Sequence, residues 1–136
     1  MRPPEEVKRE LVRQWLARAD DDFDTANFLF SSGRPFFPAI CFHCQQAVEK
    51  YFKAFLTWKQ IEFPKTHDLG LLLGLIASTD SSLAELLTAV VALNPYGVDI
   101  RYPGDASELA REDAEEAMRL ADNVRKAIFL ALKGTT

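Results

Sequence analysis

Apolar residues recur along the first part of the chain at steps of three and four, the spacing of one face of an α-helix. The face predicted to point inward comprises Leu11, Trp15, Ala19, Phe23, Ala26 and Phe30. A loop signal follows, because Gly33 can end a helix and Pro35 cannot continue one. The pattern therefore predicts a first helix over about residues 4–30.

A second helix is predicted from residue 36 or 37 to about residue 59, with Pro38 tolerated in its first turn. Apolar residues cover most of its circumference, as in the central helix of a bundle. Because a helix rotates by 100° per residue, its polar residues fall within an arc of about 120° and form one polar stripe. This stripe comprises His43, Gln46, Glu49, Lys50, Lys53 and Thr57. For an arbitrary helix such a stripe indicates a solvated face, and a functional face is the alternative.

Two short helices are predicted next. The first covers about residues 68–78, with Thr66 or His67 near its N-cap. The second covers about residues 82–93, with Ser81 or Ser82 as its cap, and residues 94–97 (Asn-Pro-Tyr-Gly) break the chain after it. Both are therefore connectors between longer helices.

A last long helix is predicted over about residues 106–132. Its apolar seam steps by three and four and comprises Ala110, Ala114, Ala117, Ala121, Val124, Ile128 and Leu132. No stretch shows the period-2 alternation of a strand, and no repeat appears. The sequence thus predicts an all-α protein, an up-and-down antiparallel bundle of three long helices and two short ones.

The 136 residues, 48% of them apolar, suit one globular domain over residues 1–136, with about residues 1–5 and 133–136 frayed. The net charge of −4 offers no general attraction to phosphate, so any contact with nucleic acid must be local. No signal peptide is evident, and no apolar run nears the ~18–20 residues that span a bilayer. A cytoplasmic location without membrane contact is expected.

Two features invite a metal or redox interpretation. Cys41 and Cys44 form a Cys-x-x-Cys pair, but the pair lies within an apolar helix and few further ligands exist, which favours two buried thiols. The second feature is a group of carboxylates that could bind a hard cation, Asp20, Asp21, Asp22 and Asp24, of which Asp20 and Asp24 share a helix face. A solvated helix surface is favoured for this group. No metal site and no cofactor are therefore predicted.

Four segments together resemble the HEPN domain family over about residue 11 to the end. They are Trp15 with Ala19, Asp20 and Ala26; Gln45-Gln46-Ala47-Val48-Glu49-Lys50 followed by Lys53-Ala54; Thr66-His67-Asp68-Leu69; and Arg101-Tyr102-Pro103. The second string is the most specific. The resemblance implies a helical bundle that dimerises and partners a minimal nucleotidyltransferase as a toxin–antitoxin-like pair.

Other HEPN proteins are metal-independent ribonucleases with an arginine followed four to six residues later by a histidine. This chain departs from that pattern, because positions 105 to 108 after Arg101 hold Asp, Ala, Ser and Glu, and no histidine follows His67. Proton transfer contributes about 10²–10⁴-fold to a rate. A ribonuclease interpretation therefore requires a substitute, such as His67 or Tyr102.

The candidate catalytic residues are accordingly Arg101, His67 and Tyr102. Arg101 can bind a phosphate while Tyr96 or Tyr102 stacks on a base, or it can cap carbonyls or pair with a carboxylate. His67 can titrate near neutrality, or it can serve as a capping or core-edge residue. The candidate ligand-binding residues are Lys50, Lys53, Gln46, Glu49 and Tyr96.

Three functions remain open. The first is an interaction module that binds a nucleotide or RNA phosphate and partners a nucleotidyltransferase. The second is a metal-independent ribonuclease toxin with a noncanonical site at Arg101. The third is a non-catalytic oligomeric adaptor built on the alanine seam or an apolar helix face.

Overall fold

Helix α2 (Phe37–Trp58) forms the centre of the bundle in this computed structural model, which describes residues 4–97 and 109–133. Helices α1 (Pro4–Ser31) and α5 (Arg111–Lys133) pack against α2 and make few contacts with each other. Between α2 and α5 lie α3 (Leu69–Ala77), α4 (Ser81–Leu86) and a 3₁₀ segment (Thr88–Gly97). The described part of the chain contains no strand, so the predicted all-α bundle is confirmed.

The central position of α2 follows from its composition. The largest side chains that it buries completely are Ile40, Tyr51, Phe52, Phe55 and Leu56. A helix that is apolar around most of its surface must be covered on several sides, since each exposed apolar side chain would forfeit about 1.5–3 kcal/mol of burial. The long flanking helices supply most of this cover.

The inward face of α1 differs from the prediction at one position. Leu11 is 45% exposed, whereas its neighbour Val12 is buried. Val12, Ala19 and Ala26 are seven residues apart, so they lie almost along one line of the helix and contact the core together. Leu11 is rotated by about 100° from that line, and its predicted inward position is therefore wrong.

Aspartates, and not the neighbouring residues, cap the short helices. Asp68 Oδ1 accepts hydrogen bonds from the backbone amides of Gly70 (2.9 Å) and Leu71 (3.3 Å), so Asp68 is the N-cap of α3, and Thr66 and His67 directly precede it as predicted. The carboxylate of Asp80 likewise accepts from Leu83, in place of the predicted Ser81 or Ser82. A carboxylate satisfies a free amide and also complements the helix dipole.

Two helices are shorter than predicted. The sequence predicts one helix over residues 82–93, but the α-helix ends at Leu86. The chain then continues as the 3₁₀ segment, which includes Pro95. Helix α5 begins at Arg111, and residues 109 and 110 are not helical. The amide of Ala110 donates to the Asp113 carboxylate at 2.8 Å, which fixes this start. Of the predicted frayed ends, residues 1–3 and 134–136 lie outside the described residues, whereas Pro4, Glu5 and Lys133 are helical.

The cysteines are buried core residues. Cys41 and Cys44 are both fully buried thiols outside any disulfide, as the sequence indicated. Burial, and secondarily the neighbouring Cys41, raises the pKa of the Cys44 thiol to about 12, which keeps it protonated and unreactive.

Among the described residues, no group of three or more potential metal-ligating side chains comes together. No described helix combines the length and apolar character needed to cross a bilayer.

The first prediction concerns the small residues of the α1–α2 contact. Ala19→Leu should destabilise the fold by about 1–3 kcal/mol, because Ala19 is fully buried and the added carbons must displace α2. Ala17→Leu, on the exposed face of the same helix, should change the free energy of unfolding by less than about 0.5 kcal/mol. Urea unfolding of both variants tests this, and equal effects would contradict it.

The second prediction concerns the cap of α3. Hydrogen bonds from Asn94 and from the amides of Leu71 and Gly70 hold the pKa of Asp68 below its ordinary value of 3.8. The carboxylate therefore stabilises the fold above that pH, and its contribution is lost as the pH falls through the lowered pKa. Asp68→Asn should be less stable than the wild type near pH 7, with a smaller difference near pH 3. A constant difference in urea unfolding would contradict this account.

Candidate functional site

The polar stripe of α2 does not face solvent. Glu49 is 3% exposed and Lys53 is 6% exposed, while His43, Gln46, Lys50 and Thr57 are half-buried. The stripe faces α1 and the connection between α2 and α3, so the interpretation as a solvated face is wrong. Buried charges persist only where partners compensate them, and the partners of this stripe define the site.

Glu49 organises a three-residue cluster with Lys53 and His67. Its Oε2 accepts a hydrogen bond from Lys53 Nζ at 2.9 Å, and its Oε1 lies 2.7 Å from His67 Nδ1. Because a carboxylate only accepts, Nδ1 is assigned as the protonated nitrogen. The His67 side chain is 69% exposed. A buried carboxylate thus holds an exposed imidazole whose Nε2 is left to act as a proton acceptor or donor.

Lys53 is held by more than its carboxylate partner. Its Nζ lies 5.4 Å from the ring centre of Trp15 and 5.9 Å from that of Phe63. These two rings contact each other edge to face at 6.3 Å. The aromatic faces and Glu49 together compensate the ammonium charge in this buried position. Lys53 is therefore a structural partner of Glu49 and is not presented to a phosphate group from solvent.

A glutamine pair joins the His67 segment to the end of the 3₁₀ segment. Gln45 Nε2 donates to the carbonyl of His67 at 3.1 Å, and Gln46 Nε2 donates to Gln45 Oε1 at 2.7 Å. A Cβ on Gly97 would lie only 2.9 Å from Gln45 Nε2, so the backbone of Gly97 packs directly on this amide. The end of the 3₁₀ segment is thereby placed beside the His67 segment.

Asn94 reinforces the same junction. Its Oδ1 accepts from the amide of Leu69 at 2.8 Å, and its Nδ2 donates to Asp68 Oδ1 at 3.0 Å. Tyr96, which follows two residues later, is half-buried and packs against the core. The start of α3 and the 3₁₀ segment are consequently one connected unit around His67.

Lys50 belongs to a different group on the α1 side. It pairs with Asp22, whose other carboxylate oxygen lies 2.9 Å from His43 Nδ1. Nearby, Tyr51 donates to Asp20, and Arg125 of α5 also contacts this carboxylate at 3.4 Å. Burial, and then the Asp20 hydrogen bond, raise the pKa of Tyr51 well above its usual range, so it remains a donor.

Two of the α1 aspartates are therefore structural. Asp20 and Asp22 connect α1 to α2 and α5, which corrects their interpretation as a solvated surface, whereas Asp21 and Asp24 do not take part in these pairs. The partners of Asp20 and Asp22 come from other helices and lie far away in sequence. Helical spacing within α1 alone carries no signal for these pairs.

The structure brings some of the candidate residues together and separates others. His67, Glu49 and Lys53 form the cluster, with Gln46 linked to it through Gln45. Lys50 pairs with Asp22, outside the cluster. Arg101 and Tyr102 lie outside the described residues. Sequence reasoning missed the supporting roles of Trp15, Gln45 and Phe63, although Trp15 and Gln45 stood in the segments that carry the family resemblance.

A third prediction tests the buried ion pair. Lys53→Met should destabilise the protein by about 3–5 kcal/mol, because it leaves the Glu49 carboxylate buried without its cation. The double variant Glu49→Gln with Lys53→Met should recover part of this loss, since no net charge is then buried. Urea unfolding of the two single variants and the double variant measures this coupling. Additive effects would contradict the pairing.

Comparison with known proteins agrees with this architecture. A family model for the HEPN domain matches residues 12–134. A Methanocaldococcus jannaschii protein named "Putative toxin MJ1304" is 29% identical over 136 residues, covering 90% of this chain and 88% of that protein. The relationship therefore extends over nearly the whole of both chains.

Two solved structures share the fold. The archaeal HEPN homologue ST0689 superposes with a TM-score of 0.65 at 22% identity, covering 86% of this chain and 93% of that one. The protein TT1696 from Thermus thermophilus gives a TM-score of 0.67 at 28% identity, covering 86% and 94%. These two structures show the shared fold. The family model, which matches residues 12–134, confirms the resemblance seen in the sequence, and the chain belongs to the HEPN family.

Proposed function

We propose that this HEPN protein acts on RNA as a metal-independent, toxin-type ribonuclease whose proton-transfer residue is His67 and whose phosphate-binding residue is Arg101. The observation that carries the proposal is the exposed His67 imidazole, held through Nδ1 by the buried Glu49 carboxylate at 2.7 Å. This arrangement suits a general base, because a second group fixes the ring and its tautomer while the other nitrogen meets the substrate.

The position of Gly97 supports the participation of Arg101. Gly97 packs on Gln45, which also binds the His67 carbonyl, and Arg101 follows four residues later. Four residues of chain span at most about 14 Å. The covalent chain therefore permits the guanidinium of Arg101 and the imidazole of His67 to bind the same phosphodiester. Tyr102 or Tyr96 would then stack on a base.

The chemistry follows from these two groups. His67 Nε2 would take the proton from the 2′-hydroxyl of the RNA as the oxygen attacks the adjacent phosphorus. The bond between phosphorus and the 5′-oxygen would then break, and the leaving oxygen would take a proton from water, which yields a 2′,3′-cyclic phosphate and a 5′-hydroxyl end. Arg101 would stabilise the charge that develops on the phosphate oxygens. Lys50 and Lys53 would not serve as phosphate ligands, because each already pairs with a carboxylate. The name of the Methanocaldococcus jannaschii relative, "Putative toxin MJ1304", is consistent with such an activity.

A binding module without turnover is the second candidate. It is favoured by the missing histidine after Arg101, since the spacing typical of HEPN ribonucleases is incomplete in this chain. In that case the same His67 and Arg101 surface would bind a nucleotide or RNA phosphate. Under either proposal the protein would act in the cytoplasm as a homodimer and pair with a minimal nucleotidyltransferase in a toxin–antitoxin-like system.

The fourth prediction separates these functions. His67→Ala and Arg101→Ala should each reduce the rate of RNA cleavage in EDTA by about 10²–10⁴-fold, because each removes a group that acts on the reacting phosphate. Glu49→Gln should also lower the rate, since it weakens the hold on the imidazole. Cleavage of a labelled structured RNA is measured on gels, beside fluorescence anisotropy for RNA binding. Lys65→Ala, an exposed residue two positions before His67, is the matched control.

Unchanged cleavage in the His67→Ala variant would reject the catalytic role of this residue. RNA or nucleotide binding without cleavage by the wild type, lost in Arg101→Ala, would instead support the binding module. The absence of both activities would favour the non-catalytic adaptor.

A further inference from the structure

A groove runs between α1 and α5 at the end of the bundle where α2 finishes. It consists of two depressions of about 280 and 590 Å³ that share Leu16 and Leu132 and therefore form one surface. One side is lined from residues 9–16 of α1 and the other from residues 126–133 of α5, with Trp58 of α2 in the first depression. We call this surface the α1–α5 groove.

The floor of the groove is apolar and partly open to solvent. Val12, Leu16 and Trp58 line its first depression, and Phe129 and Leu130 line the second. Leu130, one of the residues that line the second depression, is 73% exposed. The packing of the three long helices forms the core but leaves the apolar floor of the groove uncovered. Soluble proteins rarely leave contiguous apolar surface exposed, and where they do the surface commonly serves as an interaction site.

The rim of the groove is basic. Arg9 and Arg13 line the first depression, and Lys126 and Lys133 line the second. No acidic residue is among the described side chains that line either depression, although the whole chain has a net charge of −4. The groove thus concentrates positive charge on a protein that is acidic as a whole, and a cluster of this sign selects an anionic partner.

The existing ion pairs of the rim do not prevent such binding. Arg13 pairs with Glu10 at 2.8 Å and Lys126 pairs with Asp122 at 2.8 Å, both within one helix and with exposed cations. Exposed pairs of this kind contribute about 0–1 kcal/mol, so a partner's carboxylates can share or replace them at little cost. Lys8 Nζ lies 4.3 Å from the ring centre of Trp58 and pairs with Glu5 at 3.1 Å, so a third ion pair within one helix lies beside the first depression.

We infer that the α1–α5 groove binds an acidic amphipathic helix of a partner protein. Its apolar floor between two helices matches the apolar face of a third helix, and its basic rim matches carboxylates on both edges of that face. Each side of the groove is lined by about eight residues of helix, which is about two helical turns. A groove of this length can accommodate apolar side chains of the partner helix at positions i, i+3 or i+4, and i+7. The open shape disfavours a small ligand, which binds best where it is largely enclosed.

The fifth prediction uses two synthetic peptides of about 18 residues with the same helical leucine stripe, one flanked by glutamates and the other by lysines. By fluorescence anisotropy, the acidic peptide should bind the wild-type protein at least about tenfold more tightly than the basic one. The Arg9→Glu/Arg13→Glu double variant should weaken binding of the acidic peptide by at least about tenfold, and Leu130→Ser should weaken it several-fold.

A matched control removes the effect of net charge alone. Arg34→Glu/Lys65→Glu changes the net charge by the same amount at exposed positions outside the groove and should leave the affinity of the acidic peptide nearly unchanged. Circular dichroism confirms that each variant is folded before binding is compared. Because these variants leave His67 and Arg101 intact, the result is independent of the RNA cleavage test.

Three outcomes would overturn the proposal. Equal binding of the two peptides would show that charge does not select the partner. An equal loss of affinity in the Arg34→Glu/Lys65→Glu control would show that net charge, and not the groove, is responsible. Self-association of the wild type that disappears in Leu130→Ser, measured by analytical ultracentrifugation, would show that a second copy of the chain occupies the groove.

Discussion

The buried ion pair between Glu49 and Lys53 is the constraint on which the candidate site depends. Both groups lie on the central helix, four residues apart, and both are removed from water. Desolvating two charges costs several kcal/mol per ion, which good geometry and further partners must offset. Here the partners are His67 and the rings of Trp15 and Phe63. The pair therefore fixes not only α2 but also the chain segments that supply these three residues.

This constraint explains how an exposed histidine becomes ordered. The His67 side chain projects largely into solvent, where an isolated imidazole would sample several rotamers. Glu49 restrains the ring through Nδ1, and Gln45 restrains the backbone of the same residue through its carbonyl. The packing of Gly97 on Gln45 then connects this residue to the 3₁₀ segment. Glu49 and Gln45 of α2 thus hold the His67 imidazole beside the end of the 3₁₀ segment.

A second group of polar residues on α2, comprising His43, Lys50 and Tyr51, contacts aspartates of α1. Asp22 joins His43 and Lys50, and Asp20 joins Tyr51 and Arg125, so these carboxylates connect α1 to α2 and α5. They close one side of the bundle, where α1 and α5 otherwise make few contacts. Toward the other end of α2, about 14 Å beyond Glu49, the α1–α5 groove lies beside Trp58. Glu49 and Trp58 are consequently well separated on the central helix, whereas the two regions adjoin on α1, where Trp15 lies beside Lys53 and the next residue, Leu16, lines the groove.

The sequence by itself determined the elements that depend on local spacing. The long helices, the central position of α2 and the burial of Cys41 and Cys44 follow from apolar periodicity, because a helix rotates by a fixed angle per residue. Only the tertiary structure decided what the polar residues contact. Periodicity shows that Glu49 and Lys53 share a face, but it cannot distinguish water from aromatic rings and an imidazole as their surroundings. Those partners belong to other parts of the chain, and contacts between separate elements leave no periodic trace in either one.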